Sequence, residues 1–269
     1  MKTVFITGAS TGIGKETAKL FQSKNWNAVA TMRNPQAGKE LSYLKNRSIL
    51  PCDVTDHNSI ERAISGSIDL YGGMDVLINN AGYYLFGPAE LATYEQVKNQ
   101  LDTNLLGLID VTQKIIPYFR EKNSGTIINL SSIAGKISIP LQSLYHASKW
   151  GVEGFSESLQ YELRQFNIQV KIIEQRVIKT EFLGQSMVTA RNSEDKVYNS
   201  YYRKVIKNIY KNGEKGSDPI VVAETIYKAA TDGTRKLRYP TGNSKSMVFI
   251  HDILPQKVYN WLIKNAMER

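Results

Sequence analysis

The chain has 269 residues, 42% hydrophobic and 22% charged, proportions of a globular protein and not of a disordered, collagenous or fibrous one. Its single cysteine excludes an internal disulfide and gives no sign of an oxidising compartment. No apolar run approaches the ~18 residues that cross a bilayer, and the first ten residues lack the apolar core of a signal peptide, so a cytoplasmic location is expected. The net charge of +9 is uneven: residues 1–170 carry 16 basic and 15 acidic side chains, residues 171–269 carry 18 and 10.

In chain order, short and nearly continuous apolar runs at 4–7, 28–32, 48–50, 75–79, 126–130 and 168–173 read as strands covered on both faces. Between them, 13–22, 59–70, 97–119 and 144–163 have helical spacing. Alternation of strand and helix predicts an α/β fold: a doubly wound parallel sheet with right-handed crossovers and helices on both faces, in a single domain. A polar, basic insertion follows at about 181–217, read as a substrate lid. Beyond it come a helix at about 219–230, a short strand near 237–239 and an amphipathic stretch at 253–267. In the insertion Arg203, Lys204, Lys207, Lys211 and Lys215 interleave with Tyr198, Tyr201, Tyr202 and Tyr210. A solvated helix face is the first reading of that pattern. A face for anionic substrates or a membrane surface is the second, and nucleic acid is set aside because no recognition motif accompanies the charge.

The first strand runs into Thr7-Gly8-Ala9-Ser10-Thr11-Gly12-Ile13-Gly14 and then a helix. Glycines in such a turn let the backbone approach a pyrophosphate, while the helix N-terminus supplies free N–H groups and positive potential. Three residues separate the first two glycines, unlike G-x-G-x-x-G. This spacing resembles the T-G-x-x-x-G-x-G of the short-chain dehydrogenase/reductase family. Further along stand Asn79-Asn80-Ala81-Gly82, then Asn104, then Ser131-Ser132, then Tyr145-His146-Ala147-Ser148-Lys149. These resemble the family's N-N-A-G, its helix asparagine, its serine and its Y-x-x-x-K, in order, over residues 3–180. The resemblance implies a Rossmann-like fold and nicotinamide-dependent oxidoreduction.

Tyr145 and Lys149 lie four residues apart and share one face of a helix. A nearby ammonium is expected to lower the pKa of the phenol, so that Tyr145 gives a proton to a carbonyl oxygen or takes one from an alcohol. Ser132 would hold the same oxygen. The resemblance adds the nicotinamide ribose as a partner of Lys149 and a water-linked proton relay at Asn104. Taken singly, each has a plainer role: packing for Tyr145, surface for Lys149, a turn hydroxyl for Ser132, a helix-bend cap for Asn104. By the same resemblance the cofactor site includes Gly8, Ser10, Thr11, Gly12, Ile13, Gly14, Asn80, Ala81, Gly82, Val177 and Thr180, with Asp53 and Val54 at the adenine. The second strand ends Thr31-Met32-Arg33-Asn34 with no carboxylate at its tip. Arg33 can pair with a 2′-phosphate, helped by Ser10, so NADP(H) is expected over NAD(H).

One pair departs from the family. Where a Pro-Gly is expected after the sixth strand the chain has Gln175-Arg176, and a strained or reshaped nicotinamide wall is anticipated. The pocket edges are assigned to Tyr83, Tyr84, Leu85, Phe86, Ile139, Leu141, Phe182, Leu183, Met187 and Val188, which suits a hydrophobic ketone, aldehyde or secondary alcohol. His57, His146 and His251 lack metal-ligand spacing, so no metal is expected. The leading expectation is an NADP(H)-dependent carbonyl/alcohol oxidoreductase, forming a homodimer or homotetramer through the helices that carry Asn104 and Tyr145. The alternative is an NADP(H)-binding sensor or scaffold with little turnover. For the C-terminal stretch a pocket cap is placed first, an interface second and a membrane contact third.

Overall fold

The computed structural model describes residues 1–43, 47–179, 184, 186–190, 196–214, 216–242 and 244–268. Strands β1 (Thr3–Ile6), β2 (Asn27–Met32), β3 (Arg47–Pro51), β4 (Val76–Asn79), β6 (Gly125–Leu130), β7 (Ile168–Glu174) and β9 (Arg238–Pro240) form one sheet in the order β3-β2-β1-β4-β6-β7-β9. Every neighbouring pair in it is parallel. The apolar runs are continuous because both faces are covered. Val4, Ile6 and Ile128 pack with Phe21 of α1 (Gly12–Ser23) and with Val222 and Ile226 of α7 (Pro219–Thr231). Phe5, Val29 and Ile127 point the other way, onto α2 (His57–Tyr71), α4 (Gly107–Glu121) and α5 (Ser143–Leu163). The period of two that separates Phe5 from its neighbours Val4 and Ile6 is what places one helix layer on each face.

Chain order reverses between β1 and β4, so the loops after these two strands part and leave a crevice at their C-terminal ends. Two features above the crevice differ from the sequence expectations. Residues 97–119 are not one uniform helix: α3 (Tyr94–Leu101) passes through a π-helical turn at Asp102–Leu106 before α4 begins. In addition, β5 (Tyr84–Phe86) pairs in parallel with β8 (Met187–Thr189), a second sheet of two short strands. The insertion also contains α6 (Asn199–Glu214). On it Tyr202, Val205 and Ile209 are buried while Arg203, Lys204, Lys207 and Lys211 are exposed, the pattern of a solvated basic face; Lys215 lies outside the described residues. The C-terminal stretch is two helices, α8 (Ser244–Ile253) and α9 (Gln256–Glu268). Pro255 stands between them, where it cannot continue the first.

Candidate active site

The glycine turn is tied to both neighbouring strands. Ala9 N–H donates to Thr31 O on β2 at 2.9 Å. Thr7 Oγ1 accepts from the N–H groups of Asn80 and Ala81, each at 3.0 Å, while Asn80 Nδ2 donates to Thr7 O and Gly8 O at 2.9 and 2.8 Å. Two of the glycines are obligatory for different reasons. Gly8 has φ +66°, and a Cβ there would meet Ala81 Cα at 2.7 Å; at Gly14 a Cβ would lie 2.5 Å from both Gly8 O and Asn80 Nδ2. With those side chains absent, the first turn of α1 packs directly on the loop. The Thr11 side chain caps none of its N–H groups and no acidic residue sits in the first turn, so donors and positive potential remain for an anion.

A cavity of about 720 Å³ runs from this turn across the sheet ends. Gly8, Ser10, Thr11, Gly12, Ile13, Arg33, Asp53, Val54, Asn80, Ala81, Gly82 and Val177 line it. Gly14 sits behind that wall, and Thr180 lies outside the described residues. Arg33 is exposed and makes no ion pair with a described residue. Asp53 Oδ1 accepts from Thr55 N and Oγ1 at 3.0 and 2.8 Å, which fixes the carboxylate. Neighbouring Cys52 is buried, and burial pushes its thiol up to about 11, so it is an inert core residue.

Ser132, Tyr145 and Lys149 meet at the same cavity. Ser132 follows β6 and caps a short 3₁₀ turn, accepting from Ala134 N–H at 3.1 Å. Its hydroxyl also donates to Gln175 O at 3.3 Å and hydrogen-bonds the Tyr145 phenol. Tyr145, on the first turn of α5, is buried edge-on against Tyr84, with ring centroids 5.0 Å apart. One turn later Lys149 places its Nζ 5.8 Å from the centre of the Tyr145 ring and donates to Leu130 O at 2.8 Å. Burial lowers the ammonium to about 8, opposed by Glu153 a further turn along. The carboxylate of Glu153 is itself buried and faced by Arg238 at 3.1 Å and Lys136 at 3.8 Å.

The family profile described as short chain dehydrogenase matches residues 2–190. The chain belongs to that family. A Bacteroides thetaiotaomicron protein named 3-ketodihydrosphingosine reductase is 33% identical over 265 residues, covering 98% of this chain and 94% of its own. A short-chain dehydrogenase from Streptomyces avermitilis has a similar structure, with TM-score 0.86 and 27% identity over 97% of this chain and 95% of that one. ElxO, solved with NADP bound, gives a TM-score of 0.75 at 25% identity, covering 91% and 99%. The protein is therefore an oxidoreductase of the short-chain dehydrogenase type.

Two expectations about this dehydrogenase change once the chain is folded, and a third residue gains a backbone partner. Burial raises the Tyr145 phenol above its ordinary range, with the Ser132 bond the only opposing influence; Lys149 contributes none of the lowering expected of it, and the exclusion of water from the ring decides the direction. Asn104 is buried in the π-helical turn but does not line the cavity. Its amide is engaged by the Tyr83 backbone, accepting from N–H at 3.0 Å and donating to C=O at 2.9 Å. Second, neither Gln175 nor Arg176 has the left-handed backbone that would strain a residue with a Cβ. Their segment is anchored by Ile133 N–H, which donates to Gln175 O at 2.8 Å. The backbone argument for impaired turnover, and with it for the sensor alternative, is removed.

On the substrate side, Tyr83, Tyr84, Ile139 and Val188 line the cavity as expected. Leu85 and Phe86 are core residues, Leu141 and Met187 pack behind the wall, and Phe182 and Leu183 lie outside the described residues. Sequence reasoning missed Met247 and Met267, which α8 and α9 bring to the cavity from the far end of the chain. It also passed over His146. That buried ring lines the cavity, donates from Nδ1 to Ala134 O at 2.7 Å and accepts Ile139 N–H at 3.0 Å. It thereby pins the 134–139 loop to the helix carrying Tyr145. Among the described residues no group of three histidine, cysteine or acidic side chains is arranged to hold a metal ion.

Proposed function

We propose that this short-chain dehydrogenase is a cytoplasmic NADP(H)-dependent oxidoreductase acting on a hydrophobic ketone or aldehyde, or on the corresponding alcohol. The observation that carries the reading is the buried Tyr145 phenol, bonded to Ser132 and set over the Lys149 ammonium, in one cavity with the phosphate-sized cradle and a guanidinium at Arg33. The residues present fit the cofactor. A Cβ at Gly8 or Gly14 would collide with Ala81, or with Asn80 and the Gly8 carbonyl, and push apart the loops that shape the cradle; the α1 N-terminus suits a pyrophosphate, and Asp53 suits an adenine amine. Arg33, with Ser10, suits a 2′-phosphate, which the NADP found in the similar ElxO supports.

When bound, the nicotinamide supplies or accepts the hydride. In the reductive direction Tyr145, a neutral phenol that burial guards further against ionising, donates its proton to the carbonyl oxygen. Ser132 donates a hydrogen bond to the same oxygen as its charge develops, exchanging its long 3.3 Å contact with Gln175 O for that partner. Lys149, protonated below about 8, stabilises the phenolate left behind. In oxidation the proton moves the other way. Asn104 acts at one remove, holding the Tyr83 backbone beside the cavity.

The apolar wall of Tyr84, Ile137, Ile139, Val188 and Ile209 supports a lipophilic substrate, as does the relative named for reducing 3-ketodihydrosphingosine. We assign residues 181–217 as a lid because Ser186, Val188 and Ile209, all from that insertion, line the cavity. A homodimer or homotetramer is supported by Leu106, Trp150 and Tyr161, which leave large apolar surfaces exposed on the π-helical turn and on α5. Incubation with NADPH or NADH and a panel of lipophilic ketones and aldehydes, followed by cofactor absorbance, tests the reading. NADPH-dependent reduction of at least one of them is expected. Tight NADPH binding with no turnover across the panel in either direction would overturn it.

A further inference from the structure

Helix α9 is apolar on two sides. Its inner side, Tyr259 and Met267, is buried, and Asn208 Nδ2 of α6 donates to Met267 O at 2.9 Å. The outer side carries Val258, Trp261 and Leu262, spaced i, i+3 and i+4, exposed at 43%, 61% and 39%. Across the turn at Pro255, α8 presents Phe249, Ile250 and Ile253 at 62%, 41% and 59% exposure, also on one face of its helix. A helix in contact with water on its outer side is expected to be polar there. Six large apolar side chains on two helices that touch each other are instead exposed, and exposed apolar surface of that size is the kind that marks an interaction site.

We infer that the outer face of the α8–α9 hairpin docks on an anionic lipid surface. Lys257 and Lys264 stand four residues before and three after Trp261, on the same ridge of α9, and both are exposed. Long ammonium side chains beside Trp and Leu can reach lipid phosphates while the apolar groups enter the acyl boundary. The region's charge agrees, since residues 171–269 carry 18 basic and 10 acidic side chains and anionic lipid attracts such a surface. A second copy of the chain is a poorer occupant. Two-fold pairing through this patch would bring the same lysine-bearing ridges together, so that like charges meet across the axis. No described helix is long and apolar enough to cross a membrane, so the contact is peripheral. Met247 and Met267 line the cavity from these same two helices. If the proposed oxidoreductase activity holds, a lipophilic carbonyl compound has a short path from the bilayer to Tyr145.

The test is co-sedimentation with vesicles of phosphatidylcholine alone or containing roughly a third phosphatidylglycerol, a readout that needs no turnover and stands apart from the oxidoreductase reading. The intact protein is expected to bind the anionic vesicles on the order of tenfold more tightly than the neutral ones, and less tightly as salt rises. The double variant Phe249→Ser/Trp261→Ser should lose at least roughly tenfold in binding. Lys257→Glu/Lys264→Glu should lose the preference for anionic lipid. Both should keep the circular dichroism and NADPH affinity of the parent, because none of the four residues lines the cavity. Absence of parent binding to anionic vesicles would overturn the inference even if a variant failed to fold. So would equal binding by the serine variant, or a change in its oligomeric mass with unchanged vesicle binding, the last pointing to a second copy as occupant.

Discussion

The floor and the roof of the cavity are held by different forces. Along the floor, where the loops after β1 and β4 meet, side chains clamp backbone. Thr7 and Asn80 lock the glycine turn, and Gln100 and Asn104 hold the 83–85 segment. The roof, formed by α6, α8 and α9, rests mainly on apolar contacts of Tyr202, Val205, Ile209, Tyr259 and Met267, with the Asn208 bond to Met267 O joining α6 to α9. Hydrogen bonds are directional and fix a geometry, whereas apolar contacts tolerate sliding and reopening at low cost. A cofactor that is the same in every turnover suits the first construction. The lipophilic substrate proposed above, entering past the apolar residues of the roof, suits the second.

The contrast is tested most severely at the boundary, where floor and roof both touch Tyr145. Replacing Tyr145 with phenylalanine removes the transferable proton and leaves the ring packed on Tyr84, so turnover should fall by about 10²–10⁴. NADPH affinity should stay within a factor of about two. Matched fluorescence titrations and rate measurements check both; a variant that kept the parent rate would remove Tyr145 from the chemistry.

Lys149→Met should lower turnover by about 10²–10³ and also weaken cofactor binding, since Lys149 belongs to the floor. It has a second signature in stability. Burial holds the ammonium at about 8 against an ordinary 10.5. Below pH 8 both folded and unfolded chains carry the proton, and the fold bears the whole cost of a buried charge. Between 8 and 10.5 only the unfolded chain keeps it, so stability attributable to this residue rises with pH, by roughly 3 kcal/mol in all. The parent should therefore gain stability relative to Lys149→Met across that window in denaturant titrations. A constant difference would show that the ammonium is not desolvated.

At the far end of the floor, Arg33→Asp should shift the ratio of NADPH to NADH affinity by about 10- to 100-fold towards NADH. An unchanged ratio from isothermal titration would assign Arg33 to the solvated surface. The smallest effect is expected where the chain departs from its family. Gln175→Pro/Arg176→Gly relieves no backbone strain, and Glu174, at the end of β7, already has the extended conformation that proline requires of its predecessor. NADPH affinity and rate should stay within about twofold, equivalent to ~0.5 kcal/mol. A tenfold change in either would mean that the side chains of the pair contact cofactor or substrate.

The elements of the floor were legible because their signals are local. A continuous apolar run, a glycine that must turn left-handed, and a tyrosine four residues from a lysine each express a constraint within one strand, one turn or one helix face. Even there, Asn104 was legible as a site residue but not in its contacts, because its side chain is held by the backbone of Tyr83, 21 residues earlier. The roof was poorly legible. β5 and β8 are three residues each, too short for a period to register, and they form only by pairing across about a hundred residues. Met247 and Met267 reveal nothing of the cavity they line until α9 packs on α6 and α8 packs on α9.

By itself the sequence determined the doubly wound parallel sheet, the family, and which side chains of the glycine turn, Ser132, Tyr145 and Lys149 would meet. Spacing along a regular helix or strand fixes direction, and the parallel crossover rule fixes where the strand ends converge. Only the tertiary structure decided the protonation of that site. Tyr145 is raised and Lys149 lowered because both are buried, and desolvation depends on every element that excludes water from the pair, including residues far away in the chain. The same holds for the outer face of α8 and α9. Its apolar pattern could have been core, and becomes a surface because the opposite sides of the two helices are already covered.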